Sequence, residues 1–304
     1  MIDIIIPAYN AQSTIKRTLA SIAMQSIKDK IKVTIVNDCS KKDYSEIIEI
    51  FKSIIKISEI KMDKNSGPGA CRQRGIDNTI NPYIMFVDAD DLLYDCYSVE
   101  RLYRAMKNNN YVVGIMMDEN KGKYSYWNNH TGCLHAKMYR RKHLEKENIR
   151  FNNTRQSEDY SFHSLNILST KKQTCIKDVV YLYKDNENSI TNDKSYKIQS
   201  INSHIYNVLW TVNHAEKRKY PPKKIADLIY NAIVYIYFIY AKNCKNKQSN
   251  NILVWAKPLI EVYERYESIL TNKKKIEIYR IYSSENEVIP DISLQEFVDK
   301  SINT

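Results

Sequence analysis

The stretch Tyr83-Ile84-Met85-Phe86-Val87-Asp88-Ala89-Asp90-Asp91 decides how this chain is read. An apolar run ends abruptly in three carboxylates within four residues, the pattern of a buried strand that delivers acidic side chains to its C-terminal end. Like charges that close together are unfavourable unless something positive neutralises them. A hard divalent cation with oxygen ligands, itself holding phosphates, is the natural partner. An Asp-rich turn or a helix cap explains the same residues. On this segment the two readings stand level, so the neighbouring segments decide.

Upstream, Ile2 to Ile6 is a continuous apolar strand closed by Pro7, and Ile15, Leu19, Ile22 and Ala23 keep helical spacing after it. Ile31 to Val36 gives a second strand that ends at Asn37-Asp38-Cys39-Ser40, and Tyr44 to Ile55 a second helix. A weaker strand near Glu59 to Met62, the loop Asn65-Ser66-Gly67-Pro68-Gly69 and a short helix over Ala70 to Asn78 repeat the unit. Alternating strands and helices predict an α/β fold with a mostly parallel, doubly wound sheet, whose ligands bind at the carboxyl ends of the strands. Pro7 to Asn10, Asp38, Asn65 to Gly69 and Asp88 to Asp91 all fall at such ends. That convergence favours the metal and phosphate reading.

Downstream, a helix near Val99 to Lys107 and a strand at Tyr111 to Met117 give way to shorter alternating segments, Tyr124 to Trp127 and Cys133 to Tyr139, which suit antiparallel strands. Arg140-Arg141-Lys142 leads into a helical turn, Ser157-Glu158-Asp159-Tyr160 opens a helix, and Cys175 to Tyr183 is a late strand. Period-2 signal ends at Thr191-Asn192-Asp193-Lys194, which sets a boundary between residues 1–193 and a helical region, 194–304. Helices are expected there at Ile198 to His214, Lys223 to Ala241, Ile252 to Leu270 and Lys273 to Ser283.

Composition narrows the function less. The six cysteines form no CxxC pair, which signals neither a zinc site nor a disulfide framework, and reduced thiols in a cytoplasmic protein are expected. The N-terminal residues carry no basic and apolar leader pattern. The longest apolar stretch, Ile225 to Ala241, contains Asp227 and Asn231 and is read as a buried helix or a dimer face rather than a transmembrane span. A net charge of +11 favours an anionic partner.

Taken in order, Ile4-Ile5-Ile6-Pro7-Ala8-Tyr9-Asn10, Val36-Asn37-Asp38-Cys39-Ser40, Asn65 to Ile76, Asp88-Ala89-Asp90-Asp91 and Glu158-Asp159 resemble the family 2 glycosyltransferases of GT-A fold, over about residues 1–190. The resemblance implies a Rossmann-like mixed sheet with a parallel core, and inverting, metal-dependent transfer from a nucleotide sugar, typically a UDP-sugar, to a hydroxyl. It places Pro7, Tyr9 and Asn10 against the nucleoside and Asp38 on the base. Asn65 and Gly67 fall in a loop close to the nucleotide, and Arg72 on the nucleoside or diphosphate. It puts Asp88 on the ribose and Asp90 on Mn²⁺ or Mg²⁺, with Asp91 as second ligand or support. In the acidic pair Glu158-Asp159, Asp159 is the implied general base. The family's usual Arg-Asn pair is Arg72-Gln73 here. Trp127, His130 and Arg140 fall in the segment that lines the acceptor side, and Lys184 where many members carry a basic residue over the diphosphate.

Basic clusters at Lys217-Arg218-Lys219, Lys223-Lys224, Lys242 to Lys247 and Lys273-Lys274-Lys275 surround Tyr-rich helices. Solvated helix ends explain them. So do an anionic glycan or polymer acceptor, peripheral contact with an anionic membrane, and nucleic acid, as in glycosyltransferases that modify DNA bases. A binding module that keeps the fold without catalysis is the reading from another class.

Overall fold

Strand β1 (Ile2–Ala8) forms because Ile2, Ile4, Ile5 and Ile6 are all buried, as a strand covered on both faces requires. In this computed structural model residues 1–119, 123–125, 133–184, 194–243, 250–286 and 292–304 are described. The chain divides into two compact units, Met1–Asn188 and Ser189–Thr304.

In the first unit, β1 pairs in parallel with β2 (Ile31–Asn37) and β4 (Tyr83–Phe86), and β2 with β3 (Lys56–Lys61). Helices α1 (Ile15–Ala23), α2 (Ser45–Phe51) and α3 (Pro68–Asp77) connect them. The remaining strands are β5 (Leu92–Leu93), β6 (Tyr111–Asp118), β7 (Lys123–Ser125), β8 (Lys137–Arg140) and β9 (Gln173–Tyr183). The sheet order is β3-β2-β1-β4-β8-β6-β9-β5, with β7 beside β6. Strand β8 runs antiparallel to both β4 and β6, while β9 is parallel to β6. The sheet is therefore mixed around a parallel core, as expected. Helices α4 (Ser98–Ala105), α5 (Arg141–Lys146) and α6 (Glu158–Ser169) complete the unit.

Two close fits position the first loops. A Cβ at Gly75 would lie 2.4 Å from Ile5 Cγ2, so only glycine lets α3 seat this closely on β1. At the opposite end of the sheet, fully buried Asp3 accepts from Arg141 Nη2 at 3.0 Å and from Asn81 N and Nδ2, both at 2.8 Å. Arg141 also donates to the carbonyls of Ile76 and Asn81 and to Thr79 Oγ1, so this buried charge pair is fully hydrogen-bonded.

The structure departs from expectation in three places. The strand expected from Cys133 begins only at Lys137, because Ala136 adopts a left-handed φ of +55° that breaks the pleat. Strand β5 is too short to show a period. The second unit has a further helix beyond those expected, opened by the capping-box sequence Ser293-Leu294-Gln295-Glu296: Ser293 Oγ accepts from Glu296 N, and Glu296 accepts from Ser293 N.

That unit contains α7 (Lys194–Lys217), α8 (Pro222–Asn243), α9 (Asn250–Glu264), α10 (Asn272–Asn286) and α11 (Leu294–Ile302). By length and composition α8 is apolar enough to cross a membrane, but 67% of its most apolar window is buried within the protein. The packing around it involves α7, α9, α10 and α11. On α7, His204 is buried edge-on to Tyr235, at 5.0 Å between ring centroids, and burial lowers its pKa from 6.5 to about 4. The native state thus binds this proton more weakly than the unfolded chain. Its contribution is complete above pH 6.5 and disappears as the pH falls towards 4, amounting to about 3 kcal/mol. Urea denaturation of the full chain is expected to show this loss, and His204→Leu to reduce it.

Candidate active site

Strand β4 ends at Phe86, and the chain then turns through the acidic segment at the carboxyl ends of the parallel strands. Three positively charged or polar groups converge on it from other elements. Arg72, buried on α3, donates from Nη2 to Asp88 Oδ1 at 2.7 Å and from Nη1 to Glu158 Oε1 at 2.8 Å. His135 Nε2, from the turn before β8, lies 3.0 Å from Asp88 Oδ2 and 3.8 Å from Asp91 Oδ2. Tyr181 on β9 accepts from Asp88 N at 3.2 Å and donates to Asp91 Oδ2 at 2.7 Å. The backbone N–H of Lys184 donates to Asp91 Oδ1 at 2.9 Å.

These contacts set the electrostatics. Burial alone would raise the Asp88 carboxyl, but Arg72 and His135 outweigh it and hold Asp88 well below the usual carboxylate range. Asp91, more deeply enclosed, is pushed up to about 7 by burial in spite of His135. Burial would discharge the imidazole of His135, yet Asp88 and Cys133 keep its pKa well above the ordinary value. Asp88, Asp91 and His135 each offer a ligand atom, all within 4.8 Å of one another. Two carboxylates and an imidazole are a donor set that suits a divalent cation. Asp90, the metal ligand that the family resemblance implies, is not one of this group. Its neighbour Asp91 is, because the turn after β4, in which Asp91 N donates to Asp88 O at 3.2 Å, brings side chains 88 and 91 beside His135.

The loops around this cluster hold one another. Asn10, at a left-handed φ of +50°, accepts from Lys41 N through Oδ1 at 3.0 Å, and its own N–H donates to Ser40 Oγ at 2.9 Å. Tyr9 is 55% exposed, leaving a ring face available beside Pro7 at the end of β1. Asp38 is buried, and its two oxygens accept from Ser66 N at 2.7 Å and Gly67 N at 2.8 Å. It therefore shapes the Asn65–Gly67 loop as a scaffold. Asn65 donates to Asp38 O at 3.4 Å and accepts through its own carbonyl from Arg155 at 2.6 Å. Gly67 holds a φ of +89° just before Pro68 opens α3. A Cβ on Gly69 would sit 2.5 Å from Glu158 Cγ, so glycine admits the acidic pair to the site. Gln73, the departure from the family pattern, accepts from Phe151 N at 2.9 Å and braces the approach to α6.

Glu158 and Asp159 open α6. Burial, then the neighbouring Asp159, pushes Glu158 up to about 7. Burial also raises Asp159, against Arg72 and His135. The fold thus gathers Asp88, Asp91, Arg72, Glu158 and His135 into direct contact, with Asp159 adjoining. Arg140 is elsewhere. In register it pairs with Tyr83, at the start of β4 and away from the carboxylates. Its guanidinium donates to the carbonyls of Met106, Lys107 and Asn109, closing the end of α4, so the acceptor-side expectation for Arg140 is corrected. The ammonium of Lys184 pairs with Glu119, and its backbone rather than its side chain serves the site. Trp127 and His130 lie outside the described residues. His135 and Tyr181 went unnoticed in the sequence. Only a histidine at the head of the Cys133 to Tyr139 segment signalled either of them.

A model described as Glycosyl transferase family 2 matches residues 3–163. An uncharacterized glycosyltransferase of Rickettsia felis is 34% identical over 126 residues, 40% of this chain and 20% of its own length. Poly(ribitol-phosphate) beta-N-acetylglucosaminyltransferase TarP of Staphylococcus aureus is 30% identical over 128 residues, 40% of this chain and 38% of its own length. The chain thus spans a fifth to about two fifths of the length of these curated relatives. Among solved structures, S. aureus TarS 1-349 in complex with UDP-GlcNAc superposes with a TM-score of 0.70 at 19% identity, covering 94% of this chain and 92% of that one. Mannosyltransferase PcManGT of Pyrobaculum calidifontis, in complex with GDP-Man and Mn²⁺, gives 0.62 at 15% identity, covering 99% and 85%. At such identities the likeness shows the fold.

Proposed function

Because the chain belongs to glycosyl transferase family 2, we propose that it transfers a sugar, with inversion, from a nucleotide sugar to a hydroxyl of an anionic polymer. One observation carries this reading: the Asp88, Asp91 and His135 cluster lies one guanidinium away from the Glu158-Asp159 pair. A phosphate-holding cation and a proton acceptor can therefore stand on either side of one reacting carbon.

In this reading Asp88, Asp91 and His135 hold Mn²⁺ or Mg²⁺, and the imidazole favours Mn²⁺. When bound, the ion supplies positive charge against that developing on the departing nucleoside diphosphate. Asp90, outside the cluster, is left to accept from the donor's ribose hydroxyls. Tyr9 packs on the base, and the Asp38-supported loop brings small residues against the nucleotide. Asp159 takes the proton from the attacking hydroxyl, and its raised pKa makes it a better proton acceptor than an ordinary aspartate. This reading is supported by the UDP-GlcNAc bound in the TarS complex and by the poly(ribitol-phosphate) in TarP's name. The net charge of +11 supports a polyanionic acceptor here too.

The test is release of nucleoside diphosphate from UDP-, GDP- and dTDP-sugars, with Mn²⁺ or EDTA, in the presence of ribitol-phosphate polymer. Release confined to one base and abolished by EDTA is the expected result. Metal-dependent binding of one donor without release under any condition would instead identify a binding module.

A further inference from the structure

The turn that carries His135 is held by an unusual device. Lys137, the first residue of β8, is 0% exposed. Its ammonium donates to Cys133 O at 2.6 Å and His135 O at 3.4 Å, and lies 3.5 Å from Cys133 Sγ. Between His135 and Lys137, Ala136 takes the left-handed φ of +55°, and its own carbonyl accepts from Gly114 N at 2.8 Å. The carbonyls of 133, 135 and 136 are therefore all pinned. On its other side the imidazole packs on Tyr181 and Tyr183, at 5.0 and 5.9 Å between ring centroids.

We propose that Lys137 is a positioning residue, a buried ammonium that holds His135 in the orientation needed to face Asp88 and Asp91. The inference rests on the metal-site reading above. An ammonium taken wholly out of water is costly, and a methionine of similar length would fill the same space without that cost. What methionine lacks is three N–H donors, and these are what the inward-facing carbonyls of the turn use. Packing alone does not account for the lysine, whereas aiming an imidazole does. Support around a metal ligand of this kind governs affinity strongly without touching the metal.

The experiment is a double-mutant cycle on the full chain, with Mn²⁺ alone as the titrant and free Mn²⁺ read by electron paramagnetic resonance. Lys137→Met is expected to weaken Mn²⁺ binding by about 10- to 100-fold. In the His135→Ala background it should add almost nothing, because the residue it positions is already gone. A loss under twofold in a folded Lys137→Met protein, or losses that add in the double variant, would overturn the proposal. If Lys137→Met does not fold, Lys137→Gln, which keeps an N–H donor, enters the same cycle with the same criteria and a smaller loss. A second readout is independent of the metal: the imidazole proton resonance of His135, identified by its disappearance in His135→Ala, should shift in the Lys137 variant. Failure of the wild-type chain to bind Mn²⁺ would overturn the metal-site reading, and the resonance would then decide on Lys137 alone, an unmoved signal refuting it.

Discussion

Replacing Asp159 with Asn is expected to cut turnover by about 10²- to 10⁴-fold while leaving donor affinity nearly unchanged. The substitution keeps the shape of the side chain and removes only its ability to take a proton. Asp159 does not belong to the group Asp88, Asp91 and His135, so the donor should still bind, and the loss should appear in kcat rather than KM. The pH profile provides a second check. Burial raises the Asp159 pKa, and a base works only when deprotonated, so the acid limb of kcat/KM should lie above the ordinary aspartate range and vanish in the variant. Donor affinity that collapses while turnover of bound donor survives would assign Asp159 to donor binding instead.

Arg72→Leu is expected to lower stability by about 3–5 kcal/mol and to abolish donor binding. Arg72 is the shared partner of Asp88 and Glu158, and its removal takes the ion-pair partner from Glu158 and leaves Asp88 with His135. The effect carries a pH signature that lost packing would not have. In the wild-type protein Glu158 already titrates near 7, raised by burial and by Asp159 and opposed by Arg72. Folding thus becomes less favourable as the pH rises from the ordinary glutamate value to about 7, and no further. Without Arg72 the Glu158 pKa rises again and the decline continues above 7. The stability difference between the two proteins, read from urea denaturation, should therefore be larger at alkaline than at mildly acidic pH. A difference that does not vary with pH would mean that Arg72 acts through packing alone.

The parallel half of the fold was legible because its signals are local. The isoleucines of β1 and the helical spacing from Ile15 to Ala23 announce their own elements, and Asp38, Asn65 to Gly69 and Asp88 to Asp91 fall at strand ends on periodicity alone. What the sequence hid depends on which strands become neighbours. His135 is 44 residues beyond Asp91, and Tyr181 46 beyond His135, yet the order β4-β8-β6-β9 sets them side by side. Arg140 was misplaced for the same reason. Nearness in sequence to the acceptor-side segment says nothing about register, and antiparallel pairing with Tyr83 carries Arg140 to the far end of β4. Asp90 and Asp91 cannot be told apart by type, and only the turn geometry sets 91 beside His135. The left-handed Ala136, which delays the start of one expected strand to Lys137, has no signature in the sequence at all.

The central claim is a metal-dependent nucleotide-sugar site built on Asp88, Asp91 and His135. Thermal melting of the full chain with UDP, GDP, dTDP and their sugars, each with Mn²⁺ or with EDTA, tests it most directly. Stabilisation by one base that requires Mn²⁺ and is lost in Asp91→Asn is the expected result, since a ligand that binds only the native state raises its melting temperature. No stabilisation by any nucleotide, or one equally large in EDTA and in Asp91→Asn, would contradict the account.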